Sequence, residues 1–202
     1  MDDRVLGGAL LKLARGAIEL RFGRDAPDVP DHPQLDAPGA TFVTLRCDGD
    51  LRGCIGTLVP VRPLRQDVTR NALNAAFADP RFPPLDAADL ASLEVEVSLL
   101  GSPTPIHCSD EPELLAQLRP GIDGLVLSYG EHRSTFLPQV WESLSEPREF
   151  VRELKRKAGL PPDFWHAAID VSRYTVDKWT EREHRFDSAE ASTASLAGRA
   201  PR

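Results

Sequence analysis

"TFVTLRCDGDLRGCIGTL", residues 41–58, decides the fold. Two β-favouring runs flank Asp48-Gly49-Asp50, so the segment reads as a hairpin. A three-residue loop at those positions sets Cys47 opposite Leu51, Leu45 opposite Gly53 and Val43 opposite Ile55, which makes one apolar face. The other face then carries Arg46 with Arg52, Thr44 with Cys54 and Phe42 with Gly56. A two-residue loop would put Arg46 beside Gly53 and mix the faces, because a one-residue slip turns every side chain over. The favoured register sends Cys47 and Cys54 to opposite faces and predicts no disulfide between them.

Upstream, Leu6, Leu10, Leu13, Ala17 and Leu20 recur at steps of three and four. They predict a helix with one apolar stripe that stops near Gly23. Residues 24–40 hold four prolines and four aspartates and read as a loop with no regular element. Downstream, Pro63 suits a first helical turn. Leu64, Val68, Ala72, Ala75 and Ala76 form a narrow stripe of mostly small residues, which lets a helix approach a sheet closely. Asp79-Pro80 closes that helix, since a residue before proline is biased out of the helical region. "LEVEVSLL", residues 93–100, alternates strictly, with Leu93, Val95, Val97 and Leu99 on one face and Glu94, Glu96 and Ser98 on the other.

A short helix over 111–118, a second hairpin over 124–137 and a helix closed by Gly159 follow. Residues 167–181 read as one last strand, bent at Ser172. From 184 on, large apolar residues almost vanish, so 184–202 is expected to be a disordered tail behind one compact unit of two lobes over 4–183.

Composition bounds the function. The chain has 202 residues, 41% apolar and 27% charged, an ordinary globular balance. A formal charge of -7 argues against nucleic-acid binding. No apolar run approaches the ~20 residues of a membrane span, and the N-terminal residues lack the basic and apolar regions of a signal peptide. Three cysteines suit free thiols in a reducing cytoplasm. No C-x-x-C, H-x-x-x-H, phosphate loop or calcium loop occurs, so neither a metal nor a cofactor is expected.

Six fragments in order, "GATFVTL…LRGCIGTL", "AAFADPRFPPL", "LEVEVSLL", "GIDGLVL", "FLPQVW" and "KAGL", resemble the AMMECR-type domain. Its bacterial branch is called AmmeMemoRadiSam system protein A. The resemblance runs from about Val5 to Glu183. It implies an α+β fold of two unequal lobes around mixed, largely antiparallel sheets flanked by helices. It also implies a Memo-like protein and a radical SAM protein as partners. It brings no established reaction. The "LRGCIG" box falls on residues 51–56, "DPRFPP" on 79–84, "EVS" on 96–98 and "LPQV" on 137–140. Where family members often carry a glycine-rich lead into the first box, this chain has "DGD".

On these boxes Cys54 is the candidate nucleophile, and Arg52, Gly53, Gly56, Asp79, Arg81, Glu96 and Gln139 are candidate binding residues. Arg46 and Arg52 on the Cys54 face would favour a thiolate. The bland reading stands beside it: a small cysteine packed between glycines. His132, near the second turn, is the best-placed base, but a solvated turn histidine is the commoner case and the simpler reading. Arg81 is suited to a carboxylate or phosphate ligand, or to a structural ion pair with Glu96 or Asp79. Two functions remain open. One is a component that binds a small molecule or modified side chain in a cleft containing Cys54; the other is a non-catalytic interaction module.

Overall fold

The structure, a computed structural model, describes residues 3–25 and 27–184. Helix α1 (Asp3–Leu20) precedes strands β1 (Pro38–Gly39), β2 (Thr41–Cys47), β3 (Asp50–Gly56) and β4 (Arg62–Pro63), then helix α2 (Leu64–Phe77) and strand β5 (Leu93–Leu100). Strand β6 (Thr104–Pro105), helix α3 (Glu111–Gln117) and the hairpin β7 (Gly124–Tyr129)–β8 (His132–Phe136) follow. Helix α4 (Pro147–Lys157), β9 (Asp170–Tyr174) and β10 (Val176–Thr180) complete the described elements. The fold class is α+β. The expected tail, apart from its first residue, lies outside the described residues.

The chain divides into two compact units, one formed by residues up to Leu99 together with those from Lys178 on, the other by Leu100 to Asp177. One four-stranded sheet has the order β10-β5-β2-β3, the other β6-β9-β7-β8. The single last strand expected from the sequence is in fact two, separated at Thr175 and assigned to different sheets. The apolar positions shift at the break: Ile169 and Val171 keep one parity, Tyr174 and Val176 the other, and a single bent strand reads the same way. The supposedly structureless loop also carries a 3₁₀ turn at Pro33–Leu35 and the two-residue strand β1.

In the first unit, Leu10 and Ala14 of α1, Val68, Ala72 and Ala75 of α2, and Val43, Leu45, Val95 and Val97 of β2 and β5 form one apolar core. The small stripe of α2 does what its size suggests. A Cβ at Gly53 would collide with the carbonyl oxygen of Ala75, so only glycine lets the α2 backbone lie this close to β3. At Gly7 of α1 a Cβ would strike the Trp179 ring, which packs the β10 segment onto the helix.

A buried polar hub ties α2 to the start of β2. The Asp67 carboxylate, fully buried, accepts from the Thr41 amide and hydroxyl, both at 2.8 Å, from Asn71 Nδ2 at 3.0 Å and from Arg62 at 2.7 Å. Several charge-assisted bonds offset the cost of holding that carboxylate out of water.

The first hairpin follows the expected register from Phe42–Gly56 to Leu45–Gly53 and then departs from it. Arg46 pairs with Leu51 and Cys47 with Asp50, across an irregularity between Leu45 and Arg46 that leaves Arg52 as the extra residue of a bulge. The loop is therefore two residues, not three. Asp48 and Gly49 both have positive φ, 51° and 90°, the conformation of the turn that matches strand twist. The bulge absorbs the odd residue, so the apolar pairs Val43–Ile55 and Leu45–Gly53 survive the shorter loop, while Leu51, expected opposite Cys47, lies opposite Arg46 and is 37% exposed. Cys47 packs against the core while Cys54 lies on the other face, and all three cysteines are free.

The second unit has its own core, in which Trp141 stacks on Phe150 at 3.9 Å between ring centroids. Lys155 is fully buried and bonds to Glu111 at 2.7 Å and to the Phe164 carbonyl at 3.2 Å.

The close approach at Gly53 makes a sharp prediction. Gly53→Ala should destabilise the protein by about 2–3 kcal/mol in urea unfolding, the usual cost of overpacking a tight contact. An unchanged midpoint would show that α2 can shift away from β3 without loss.

Candidate functional site

Strand β3 is the edge of its sheet, with β2 on one side only. An edge strand leaves alternate N–H and C=O groups without a ladder partner. At Cys54 those groups are taken by the loop that follows α2. The Cys54 amide donates to Asp79 Oδ2 at 2.9 Å, and Arg81 Nη2 donates to the Cys54 carbonyl at 3.0 Å. Asp79 and Arg81 are bound to each other by two further contacts, Nη2 to Oδ2 at 2.7 Å and Nε to Oδ1 at 3.0 Å. The carboxylate also accepts the Arg81 amide at 3.1 Å. The Asp79 side chain is 2% exposed and the Arg81 side chain 54%. The Arg81 guanidinium, foremost, and the two backbone amides hold the Asp79 carboxyl far below the ordinary carboxylate range, against the opposing effect of burial.

A second arginine binds the same loop from the other direction. Arg52 donates to the carbonyls of Pro83 and of Pro84, the latter at 3.2 Å, and to Asp89 Oδ2 at 3.1 Å. Arg46 donates to the Gly49 carbonyl at 3.2 Å. The arginines expected to face the Cys54 thiol are thus engaged elsewhere, since the bulge takes Arg52 out of register with Arg46. Arg81 bonds Asp79, one of the two partners the sequence offered it, while Glu96 pairs with Lys178 at 3.2 Å.

The thiol itself faces a polar row. Cys54 pairs with Thr44, and Thr44 with Glu96, so the three side chains sit side by side on one face across β3, β2 and β5. The Thr44 hydroxyl donates to Cys54 Sγ at 3.3 Å. Lys178 of β10 extends the row through its ion pair with Glu96. Cys54, Thr44 and Glu96 are all half-buried, neither sealed in the core nor fully in solvent. The ring of Phe42 covers Gly56, where a Cβ would meet it, so this glycine gives room to an aromatic neighbour.

Gln139 is exposed in a 3₁₀ turn of the second unit, at Pro138–Glu142. His132 also belongs to that unit, with Nδ1 2.8 Å from the Ala158 carbonyl. Among the described residues no group of three or more His, Cys, Asp or Glu could hold a metal ion. Sequence reasoning set Thr44 opposite Cys54 without giving it a site role, and it passed over Asp89 and Lys178 as members of this neighbourhood. Thr44 was readable from the hairpin register; Lys178 was not, because its strand joins the sheet from the far end of the chain.

The depressed Asp79 carboxyl gives a pH signature. Its folded-state pKa lies below the ~3.9 of an unfolded aspartate, so its stabilising contribution is complete above that value and fades as pH falls toward the folded one. Asp79→Asn is expected to melt several degrees lower near pH 7, an effect of about one lost charge-assisted bond. The gap to the parent should shrink below about pH 4. A gap that stays constant down to strong acid would show that the carboxylate charge is not what holds the loop.

Comparison with known proteins sets this geometry in a family. A protein of Methanothermobacter thermautotrophicus is 39% identical over 189 residues, covering 87% of this chain and 94% of that one. A protein of Methanocaldococcus jannaschii is 34% identical over 195 residues, covering 90% and 97%. Neither name states an activity. The crystal structure of an uncharacterised protein from Pyrococcus horikoshii superposes with a TM-score of 0.71 at 35% identity, covering 90% of this chain and 93% of that one. The AMMECR1 family model matches residues 11–179, and the chain belongs to the AMMECR1 family.

Proposed function

We propose that this protein is the binding component of an AmmeMemoRadiSam system, acting with a Memo-like and a radical SAM partner. In this reading it holds a small molecule or a modified side chain against the polar sheet face at Cys54. One observation carries the site: the Cys54 backbone is fixed by Asp79 and Arg81, while its thiol lies half-buried beside Thr44 and Glu96. A packing cysteine would sit in the apolar core, as Cys47 does in part. The partners rest on the sequence resemblance alone.

An interaction module is the second reading, favoured by a different observation. Immediately beyond β3, Leu58, Val59 and Val61 are 45%, 46% and 66% exposed in one short loop. Apolar side chains grouped at the surface are a feature of partner-binding sites.

Thiol reactivity and complementation separate the two. Burial raises the Cys47 and Cys108 thiols, with Asp89 adding to the first and Glu113 to the second. If the half-buried thiol beside Thr44 is the binding group, Cys54 should alkylate with iodoacetamide before either of them in the native protein. In a deletion strain, the Cys54→Ser chain should fail to restore the parent metabolite profile although it folds. A serine chain that restores the profile, with Cys54 alkylated only on unfolding, would exclude the binding role at this thiol.

A further inference from the structure

The tip of the first hairpin, Asp48-Gly49, is a feature of the sequence that the candidate site leaves unused. The same dipeptide occurs once more, at Asp123-Gly124, and the two copies have opposite surroundings. Asp48 and Gly49 are both exposed, and a Cβ at Gly49 would meet nothing within 4 Å. Among the described residues no donor or cation holds the Asp48 carboxylate, and Gly49 meets Arg46 through its carbonyl, which leaves the Gly49 amide free. Asp123 is fully buried and accepts from the Arg119 amide at 2.9 Å and from Arg119 Nη2 and Nε at 2.6 and 3.0 Å. Its glycine is crowded too, since a Cβ at Gly124 would strike the Tyr174 ring.

The backbone at the tip favours one intramolecular reaction. An aspartate followed by glycine closes a five-membered imide when the next amide nitrogen reaches its carboxyl carbon. In an L-residue that ring holds ψ at about −120°, the value at the first central residue of a type II′ turn. Asp48 already has φ 51°, on the positive side that I′ and II′ turns share at this position. Flipping the single peptide between Asp48 and Gly49 converts one turn into the other. Gly49 tolerates either sign of φ, and both turns match the twist of the strands. The ring can therefore close with β2 and β3 still paired.

We propose that Asp48-Gly49 is a self-modifying site, which cyclises to a succinimide in the folded protein and resolves to isoaspartate. The Gly49 nitrogen bonds to Asp48 Cγ. The carboxylate takes up one proton from solvent, and one of its oxygens leaves as water with that proton and the Gly49 amide proton. No electron is transferred. Water then reopens the ring at either carbonyl, which restores aspartate or routes the main chain through the side chain as isoaspartate. That product is the substrate class of enzymes that methylate isoaspartyl carboxylates. The site is independent of the Cys54 face, so either reading can fail without the other.

The test holds the full chain in warm neutral buffer, native or unfolded in urea. Hydroxylamine, which splits the chain at a succinimide, should then cut the native protein between Asp48 and Gly49. Trypsin cuts after Arg46 and Arg52, so the peptide 47–52 isolates the tip. Its digest is labelled with isoaspartyl O-methyltransferase and S-adenosylmethionine. In the native chain the methyl label at 47–52 should exceed that on the Asp123 peptide at least about tenfold, because a hairpin tip opens far more often than a buried ion pair. The unfolded chain should carry label at both pairs, which shows that the fold and not the dipeptide protects Asp123. Asp48→Asn should cyclise faster than the parent, since ammonia leaves a neutral amide more readily than water leaves a carboxylate. Asp48→Ser should lose the label from 47–52, and Asp50→Ser should keep it. Four results would overturn the proposal: a native chain without product at Asp48 when the unfolded chain carries it, equal label at both pairs in the native chain, an Asp48→Asn chain that keeps its amide, or label that follows Asp50.

Discussion

The first unit depends on how its exposed sheet edge is closed. Cys54 lies in β3 between Gly53 and Gly56, and a glycine-rich edge has little side-chain packing to fix it. Asp79 and Arg81 supply what a neighbouring strand would. The carboxylate accepts the Cys54 N–H, and the guanidinium donates to its C=O. Because Asp79 and Arg81 also bind each other, neither is left as an unpaired charge against the backbone. Arg52 fixes the same loop from β3, so strand and loop hold one another by two arginines pointing in opposite directions.

The same device recurs on β5. Glu181 accepts the Val95 amide at 3.0 Å, Arg15 donates to the Leu93 carbonyl at 2.6 Å, and the two side chains are paired. A carboxylate takes the N–H and a guanidinium serves the C=O, as at Cys54. Here the partners come from α1 and from the helical turn after β10, so the pair also ties both ends of the described chain to the sheet. Burial strengthens these contacts relative to an exposed pair, and bidentate geometry fixes their direction. Two far-apart stretches of sequence solve the same problem of unpaired backbone with the same chemistry.

What the sequence disclosed follows the range of the forces involved. Periodicity is local, so α1, α2 and the alternating strand β5 were legible, as was the upper register of the first hairpin. The turn was misjudged because an odd loop and an even loop with a bulge preserve the same apolar pairs from Val43 to Leu45 and differ only at the tip, where Leu51 turns out. Only the positive φ of Asp48 and Gly49 distinguishes them. The apolar parity changes after Val171, but that local shift does not say that β10 leaves for the sheet of β5, which is a long-range choice. The boxes named most of the residues that meet at β3. They did not tell which are structural, because an arginine beside a carboxylate looks alike in a ligand site and in an edge clamp.

The structure divides those residues by what their atoms are already doing. Gly53 gives space to the α2 backbone, and Gly56 lies under the Phe42 ring. Arg52, Asp79 and Arg81 are engaged with backbone groups, with one another or with Asp89. A ligand that recruited Arg81 through both guanidinium edges would have to displace Asp79 and release the Cys54 carbonyl. Anion capture there competes with the fold itself. The Cys54 thiol is less committed: its main chain is locked, and its sulfur receives the Thr44 hydroxyl with the Arg81 guanidinium also beside it. Glu96 is bound to a lysine that is half in solvent, a pair that water and salt weaken and a ligand can replace at small cost. The groups free to change partners are therefore the sulfur, the hydroxyl and the carboxylate of the row across β3, β2 and β5.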